Sequence, residues 1–407
     1  MIVKRESVMV IGAGQAGLAV SRELGERGVE HVVLERARVA QAWRDRWDSF
    51  TLVTPNWTLD LPGYPYDGAD PQGHVPRDTI VAYLEGYAAL CAAPVREGVR
   101  VEVIRKAARG FWVATSHGEF MADNVVVCTG AYQRPFRPHG VVFPPALPVI
   151  DATAYRNPDE LPSGKVLVIG SGQTGCQLSE ELHLAGRDVF LACGRAPWAP
   201  RRLDGIDIVD WLVSAGFFDQ PVAALPTPAA RLGANIQATG AGGGHDLNYR
   251  TLQALGVPLL GRLSAVDDHD AHFADDLGAS VAFGDARWAD MRRAMTDSLP
   301  GQGIVVPELP VPAPFRYVPL LDLSLRDFGA VIVTSGFRPD YGWIDAAVTD
   351  EMGFPAAVDG ASTSVPGLYF CGVHFLRKRK SSLLFGVGED ASIVAQAIAD
   401  NRSTSPC

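Results

Sequence analysis

Two glycine-rich turns constrain this chain more than anything else in it: Gly12-Ala13-Gly14-Gln15-Ala16-Gly17 and Gly170-Ser171-Gly172-Gln173-Thr174-Gly175. Each follows a short apolar run, residues 7–11 and 166–169, and each opens into a stretch of helical character. In a strand–turn–helix setting this spacing is the dinucleotide fingerprint. The first glycine allows the tight turn, the second lets the backbone approach a pyrophosphate, and the third lets the helix pack on the strand. The free N–H groups and partial positive charge of the helix N-terminus then face the phosphates. One such turn is a weak signal. Two in one chain imply two dinucleotides meeting at one reaction centre, held by a three-layer α/β fold of two Rossmann-like dinucleotide-binding domains.

The residue ending the next strand separates the two sites. After the first turn, His31-Val32-Val33-Leu34 ends on Glu35, 23 positions beyond Gly12. A carboxylate there accepts hydrogen bonds from the adenosine ribose and repels a 2′-phosphate, so FAD or NAD fits and NADP does not. The same step from Gly170 lands on Cys193, and no acid ends the strand Val189-Phe190-Leu191-Ala192. Arg195 follows, with Arg201 and Arg202 beyond Trp198, and guanidinium forks suit a 2′-phosphate. The first site is read as FAD and the second as NADPH; a solvated turn is the competing reading of the three arginines.

A net charge of −10 argues against nucleic acid or an anionic membrane surface as the main partner. No apolar run approaches the roughly 18–20 residues that span a bilayer. The first strand starts so close to Met1 that no removable signal peptide fits ahead of it, and a cytoplasmic protein is expected. The six cysteines (Cys91, Cys128, Cys176, Cys193, Cys371 and Cys407) show no C-x-x-C pair and no metal-ligand spacing. No metal site is expected, and the dithiol of a disulfide reductase is missing. Cys128, Cys193 and Cys371 fall at strand ends and read as inert core residues.

At 407 residues the chain accommodates two or three domains. Residues 1–150 hold the first β-α-β unit, a turn-rich stretch over 51–76, a helix over 77–93 and strands over 99–103, 111–115 and 125–130. A proline-rich connector over 136–148 leads to the second unit at 164–193. Periodicity is poor over 197–314. Gly240, Gly242, Gly243 and Gly244 fall there within five positions, so a mobile segment around 236–246 is expected, with a plain surface linker as the alternative. Strand signals then return. Val331-Ile332-Val333-Thr334-Ser335-Gly336 repeats the shape of Val125-Val126-Val127-Cys128-Thr129-Gly130, and Leu368-Tyr369-Phe370-Cys371-Gly372 is a further strand–glycine exit. Ile393, Val394, Ala397 and Ile398 mark a closing helix over 389–400. The expected layout is a discontinuous FAD-binding domain, 1–150 and 315–407, with an NADPH-binding domain, 160–314, inserted in it.

Several further motifs accompany the turns: Gln41-Ala42-Trp43-Arg44 with Trp47 and Phe50, and Thr54-Pro55-Asn56 through Leu61-Pro62-Gly63-Tyr64-Pro65-Tyr66. Arg77-Asp78 before Tyr83-Leu84, Thr129-Gly130, Tyr155-Arg156-Asn157-Pro158, Ser335-Gly336-Phe337-Arg338-Pro339-Asp340 and Gly367-Leu368-Tyr369-Phe370 complete the set. In this order, over nearly the whole chain, they resemble the class B flavoprotein monooxygenases, the family of the flavin-containing monooxygenases. One departure is large. The family's linker motif, F-x-G-x-x-x-H-x-x-x-[YF], keeps only its aromatic, Tyr155; its histidine, glycine and phenylalanine positions are Asp151, Leu147 and Pro145.

The resemblance implies an enzyme in which NADPH reduces FAD, oxygen adds at the flavin C4a, and one oxygen atom passes to a small-molecule substrate. The Baeyer–Villiger branch usually has Trp where this chain has Tyr155, which points to nitrogen or sulfur as the acceptor. Asn56 is then the candidate catalytic group beside the flavin, with a turn asparagine as the alternative. Trp43 and Arg44 would pack on or near FAD, and backbone N–H groups of Ser382, Leu383 or Leu384 would meet the flavin carbonyl. FAD contacts are further assigned to the first turn, Glu35, Arg36, Val101, Thr129, Gly130 and Gly372. NADPH contacts are assigned to the second turn, Arg195, Arg201, Arg202, Ser335 and Gly336. In the basic run Arg377-Lys378-Arg379-Lys380, either lysine is a candidate attractor of an anionic substrate, against the plainer reading of a solvated run. The expected partners are a small-molecule substrate and molecular oxygen, with a homodimer left open. The lost linker histidine keeps a second reading in view, an NADPH-dependent flavin oxidase or reductase without oxygen insertion. A non-catalytic flavin-binding sensor is the third.

Overall fold

The structure is a computed structural model describing residues 4–403, so Cys407 lies outside the described residues. Two parallel sheets carry the two glycine-rich turns. In the first, the strands Leu368–Phe370, Gly118–Val127, Lys4–Ile11, Val32–Leu34 and Val95–Arg96 lie side by side in that order, all parallel. A hairpin, Val101–Lys106 with Phe111–Thr115, adds antiparallel to Gly118–Val127. In the second sheet, Val149–Asp151, Phe328–Val333, Lys165–Ile169, Val189–Ala192 and Leu259–Leu260 repeat the parallel order with the fingerprint strand again in the middle. Val8 and Val10 face helices through Leu18, Leu24, Leu84 and Ile398, while Met9 and Ile11 face Phe111, Val125 and Phe370. With both faces covered, a strand needs no polar alternation, which is why these strands read as unbroken apolar runs.

The second sheet corrects the expected boundaries. Val149–Asp151 and Phe328–Val333 belong to it, although residues 1–150 and 315–407 were assigned to the first domain. The first sheet resumes only at Ala357–Val358. The misplacement has a physical source: the stretch ending on Ser335-Gly336 is the counterpart in the second sheet of the strand ending on Thr129-Gly130 in the first, and sequence similarity between equivalent strands does not say which sheet each joins. Where the chain leaves the first sheet and returns to it, Arg134–Pro135 pairs antiparallel with Phe337–Arg338, so both crossings form one two-stranded ribbon.

Between Trp198 and Leu299 the chain builds a third core. Helices Ile208–Ser214 and Leu277–Ser298 pack through Trp211, Leu212, Trp288, Met291 and Met295. The glycine-rich stretch expected to be mobile is packed at its two ends, Gly240 and Gly244, while Gly242 and Gly243 between them are exposed. A Cβ on Gly240 would stand 2.1 Å from the Leu52 carbonyl oxygen, and one on Gly244 would stand 2.9 Å from Nε2 of His74. Gly240 is required by a neighbouring backbone at contact distance, and Gly244 by its positive φ as well. No helix among the described residues is long and apolar enough to cross a membrane.

Candidate functional site

The two glycine-rich turns have nearly the same geometry. Gly12 and Gly170 have φ of 106° and 102°, and a Cβ on either would strike the strand beside it, at 2.6 Å from the Cys128 carbonyl oxygen and 2.8 Å from the Thr334 carbonyl. Gly17 and Gly175 seat helices Gln15–Glu26 and Gln173–Leu184; a Cβ on each would stand 1.8 Å from the carbonyl oxygen of Gly12 or Gly170. Gly14 differs, because nothing lies within 4 Å of the Cβ it lacks, and neither helix N-terminus is capped by a side chain. An open cradle over uncapped N–H groups fits a pyrophosphate. At the second turn Ala234 stands 3.5 Å from the missing Cβ of Gly172, so a segment of the inserted region lies across that approach. Gln173 and Gln177 donate to the carbonyl oxygens of Ile236 and Ala238, and Gln237 donates to that of Ser171. Asn235 reaches Tyr132 on the first domain's side. This strap touches both halves of the site.

The strand exits differ in charge. Glu35 is buried, and its carboxylate accepts from the N–H groups of Ala13 at 2.9 Å and Ala37 at 3.0 Å. That holds it beside the first turn, where ribose hydroxyls would come. Arg36 beside it is exposed, and Val99, two residues before Val101, donates its N–H to the Glu35 carbonyl oxygen. At the second exit Cys193 is buried, and burial holds its pKa well above the ordinary thiol value, leaving a neutral group. Arg195 is exposed and has no hydrogen bond or ion pair from another described residue.

Around the first turn, Gln15 links Trp43 and Ser382: it accepts from the Trp43 indole at 3.0 Å and donates to the Ser382 carbonyl oxygen at 3.2 Å. Gly372 packs on Ala16, where a Cβ would come within 2.4 Å of the alanine methyl. Gln133 donates to Thr129 and to the Gly130 carbonyl oxygen, while Thr334 and Ser335 donate to Ile169 at the second turn, beside Gly336. Arg44 is turned to Glu85 and the Val39 carbonyl oxygen. The Leu383 N–H is bonded to Lys380, and Ser382 ends the short helix Arg379–Ser382 with its N–H bonded inside it, which leaves the Leu384 N–H for a flavin carbonyl.

Four expected roles are corrected. Asn56 is buried; it donates to the Asp70 carbonyl oxygen at 2.8 Å and accepts from the Val75 N–H at 2.7 Å. Its amide ties the loop together rather than facing a reacting atom. Arg201 is 3% exposed and pairs with Asp207, also 3% exposed, at 2.5 Å; it further donates to the Val53 carbonyl oxygen and to Nε2 of His74. A side chain so enclosed does not reach a 2′-phosphate. Arg202 donates both arms of its fork to the carbonyl oxygens of Gly243 and Gly244. Lys378 and Lys380 both pair with Asp219 and Glu389, closing the segment 217–222 onto 377–380, so neither is a free attractor of anions.

His74, Asp207, Gln237 and Tyr249 escaped the sequence reading. Each acts through a partner more than 65 positions away or on another element, except Asp207, whose N-terminal position on its helix is the only local signal. Burial first, and the Arg201 charge second, lower the His74 pKa from its ordinary 6.5. The folded state therefore resists protonating His74. This contribution to stability is complete above pH 6.5 and is lost as the pH falls, an acid limb that a urea titration against pH reads directly, and that His74→Gln flattens.

A family model described as pyridine nucleotide-disulphide oxidoreductase matches residues 9–210. The uncharacterized oxidoreductase CzcO-like of Geobacillus kaustophilus (strain HTA426) is 30% identical over 398 residues, 97% of this chain and 98% of its own length. Indole-3-pyruvate monooxygenase YUCCA1 of Oryza sativa subsp. japonica is 36% identical over 183 residues, 43% of this chain and 44% of its own. The solved flavin-containing monooxygenase from Stenotrophomonas maltophilia superposes with a TM-score of 0.70 over 98% of this chain and all of that one, at 19% identity. At that identity the likeness speaks for the fold.

Proposed function

Because the chain belongs to the class B flavoprotein monooxygenase family and is an enzyme, we propose that it consumes NADPH and inserts one oxygen atom of O2 into a nitrogen or sulfur atom of a small molecule, with FAD at the first turn and NADPH at the second. The observation carrying this reading is the pair of matched turns with opposite strand exits: a fixed carboxylate, Glu35, at one, and a neutral thiol with an unpartnered Arg195 at the other. FAD, when bound, supplies the redox chemistry and the activation of oxygen. The chain's own residues bind, orient and shield. Gly14 and the uncapped helix take the pyrophosphate charge, and Glu35 orients the ribose. Gln15 holds Trp43 and the Ser382 backbone in register. Trp57, Phe218 and Phe385, with ring centres 5.7 and 5.2 Å apart along the row, form an apolar wall beside that backbone and exclude water.

One observation favours the second reading, an oxidase or reductase without oxygen insertion. At the family's linker-histidine position, Asp151 makes a forked ion pair with Arg137 at 2.9 and 3.1 Å. The balance of NADPH consumed, peroxide released and oxygenated product decides between the two across a panel of amines and thioethers. A monooxygenase transfers most of its oxygen to product; near-complete return as peroxide with every substrate overturns the reading. For the coenzyme, Arg195→Ala is expected to weaken NADPH use by about 1.5–3 kcal/mol, roughly 10- to 150-fold in kcat/KM, and to leave NADH use nearly unchanged. Equal losses with both coenzymes would remove Arg195 from the site.

A further inference from the structure

The second strand exit contains a closed relay of hydrogen bonds. The Gly194 N–H donates to Oγ of Ser171 at 2.8 Å, Ser171 and Tyr249 share a hydroxyl–hydroxyl contact at 2.5 Å, and the Tyr249 hydroxyl donates to the Gly194 carbonyl oxygen at 2.5 Å. Ser171 and Tyr249 are 2% and 3% exposed, so water does not substitute for either hydroxyl. Tyr249 enters from helix Tyr249–Leu255, outside both the glycine-rich turn and the strand it closes. The Gly194 carbonyl belongs to the peptide that carries Arg195, and the relay holds both polar groups of Gly194 at once.

The first site ties its turn and strand exit differently. There the Glu35 carboxylate reaches back to the Ala13 N–H, which fixes the exit but leaves a negative charge beside the ribose. Ser171 stands where Ala13 stands in the other fingerprint. Two neutral hydroxyls thus make the same turn-to-exit tie without a charge that would oppose a phosphate.

We propose that Tyr249 is a positioning residue for coenzyme choice: its hydroxyl, through Ser171 and Gly194, fixes the peptide that aims Arg195 at the 2′-phosphate of NADPH. This rests on the NADPH reading of the second site. Removing the hydroxyl leaves the guanidinium present but loosely aimed, so the loss falls on the coenzyme that carries the phosphate.

The test compares NADPH and NADH kinetics of the flavin-loaded wild type, Tyr249→Phe, Ser171→Ala, the double variant and Arg195→Ala. Tyr249→Phe is expected to raise the KM for NADPH about tenfold, with kcat, flavin content and the KM for NADH unchanged. Ser171→Ala breaks the relay at its other hydroxyl but also alters the coenzyme-binding turn, so it is expected to raise both KM values and to raise that for NADPH about tenfold more than that for NADH. The double variant should lose no more NADPH selectivity than either. Equal effects on both coenzymes, or none, while Arg195→Ala still abolishes the preference, would overturn the role of Tyr249 and leave the coenzyme reading standing. A wild type without NADPH preference overturns the coenzyme reading and this inference with it. If Tyr249→Phe does not fold, the ratio of the KM values for NADPH and NADH in Ser171→Ala decides alone.

Discussion

Arg201→Ala is expected to cost about 3–5 kcal/mol of stability, the size seen when one member of a buried ion pair is removed. The magnitude follows from what remains. Asp207 is 3% exposed, and without Arg201 its carboxylate keeps only the Val209 N–H at 2.9 Å. Val53 loses a donor to its carbonyl oxygen, and Nε2 of His74 loses its own. These contacts join the loop that carries Asn56 to the inserted region, so the damage should extend to flavin retention. Urea unfolding of Arg201→Ala, Asp207→Ala and the double variant forms the measurement. The double variant should lose less than the sum of the singles, because no unpaired charge is left buried. A cost under about 1 kcal/mol, with a selective loss of NADPH affinity instead, would return Arg201 to the coenzyme and refute its structural role.

The second large effect separates two glycines of one turn. A Cβ on Gly17 would stand 1.8 Å from the Gly12 carbonyl oxygen and 2.9 Å from its carbon. Both are backbone atoms, so no side chain yields and the helix itself must move. Gly17→Ala should cost 3 kcal/mol or more, beyond the ~1–3 kcal/mol typical of overpacking, and yield little folded protein. Gly14 is extended, with φ of −85°, and nothing lies within 4 Å of its missing Cβ. Gly14→Ala should therefore fold as wild type by circular dichroism yet purify without flavin, because the methyl takes the space of the pyrophosphate. A yellow Gly14→Ala protein with a full complement of FAD would show that the first turn does not hold the pyrophosphate.

Much of the fold and of the first site is legible in the sequence. The glycine turns, the apolar runs before them and the acid at Glu35 are local patterns, and local patterns are set by backbone sterics and by the step from strand to helix and back. The strand from Phe328 was legible as a strand but not as a member of the second sheet, because its neighbour Lys165–Ile169 is more than 150 positions away. The arginines illustrate the same limit. Arg195, Arg201 and Arg202 look alike in sequence, and burial and partners together distinguish them: one is exposed with no partner among the described residues, one is enclosed with Asp207, and one is exposed but held by two glycine carbonyls. Asn56, Lys378 and Lys380 were misread for the same reason. A polar side chain advertises capacity to bond, and its partner comes from elsewhere in the fold.

The sequence by itself determined that two dinucleotide turns exist, that the carboxylate stands at only one of them, and that the chain resembles one family of flavoproteins. These are matters of residue type and short spacing. Folding in three dimensions decided which charges stay free, that the glycine-rich stretch is anchored through Gly240 and Gly244, and that Tyr249 reaches the second turn from 78 positions away. Those outcomes depend on desolvation and on long-range partners. A buried polar group must be paired and an exposed one need not be, and no local pattern records which of the two a residue will become.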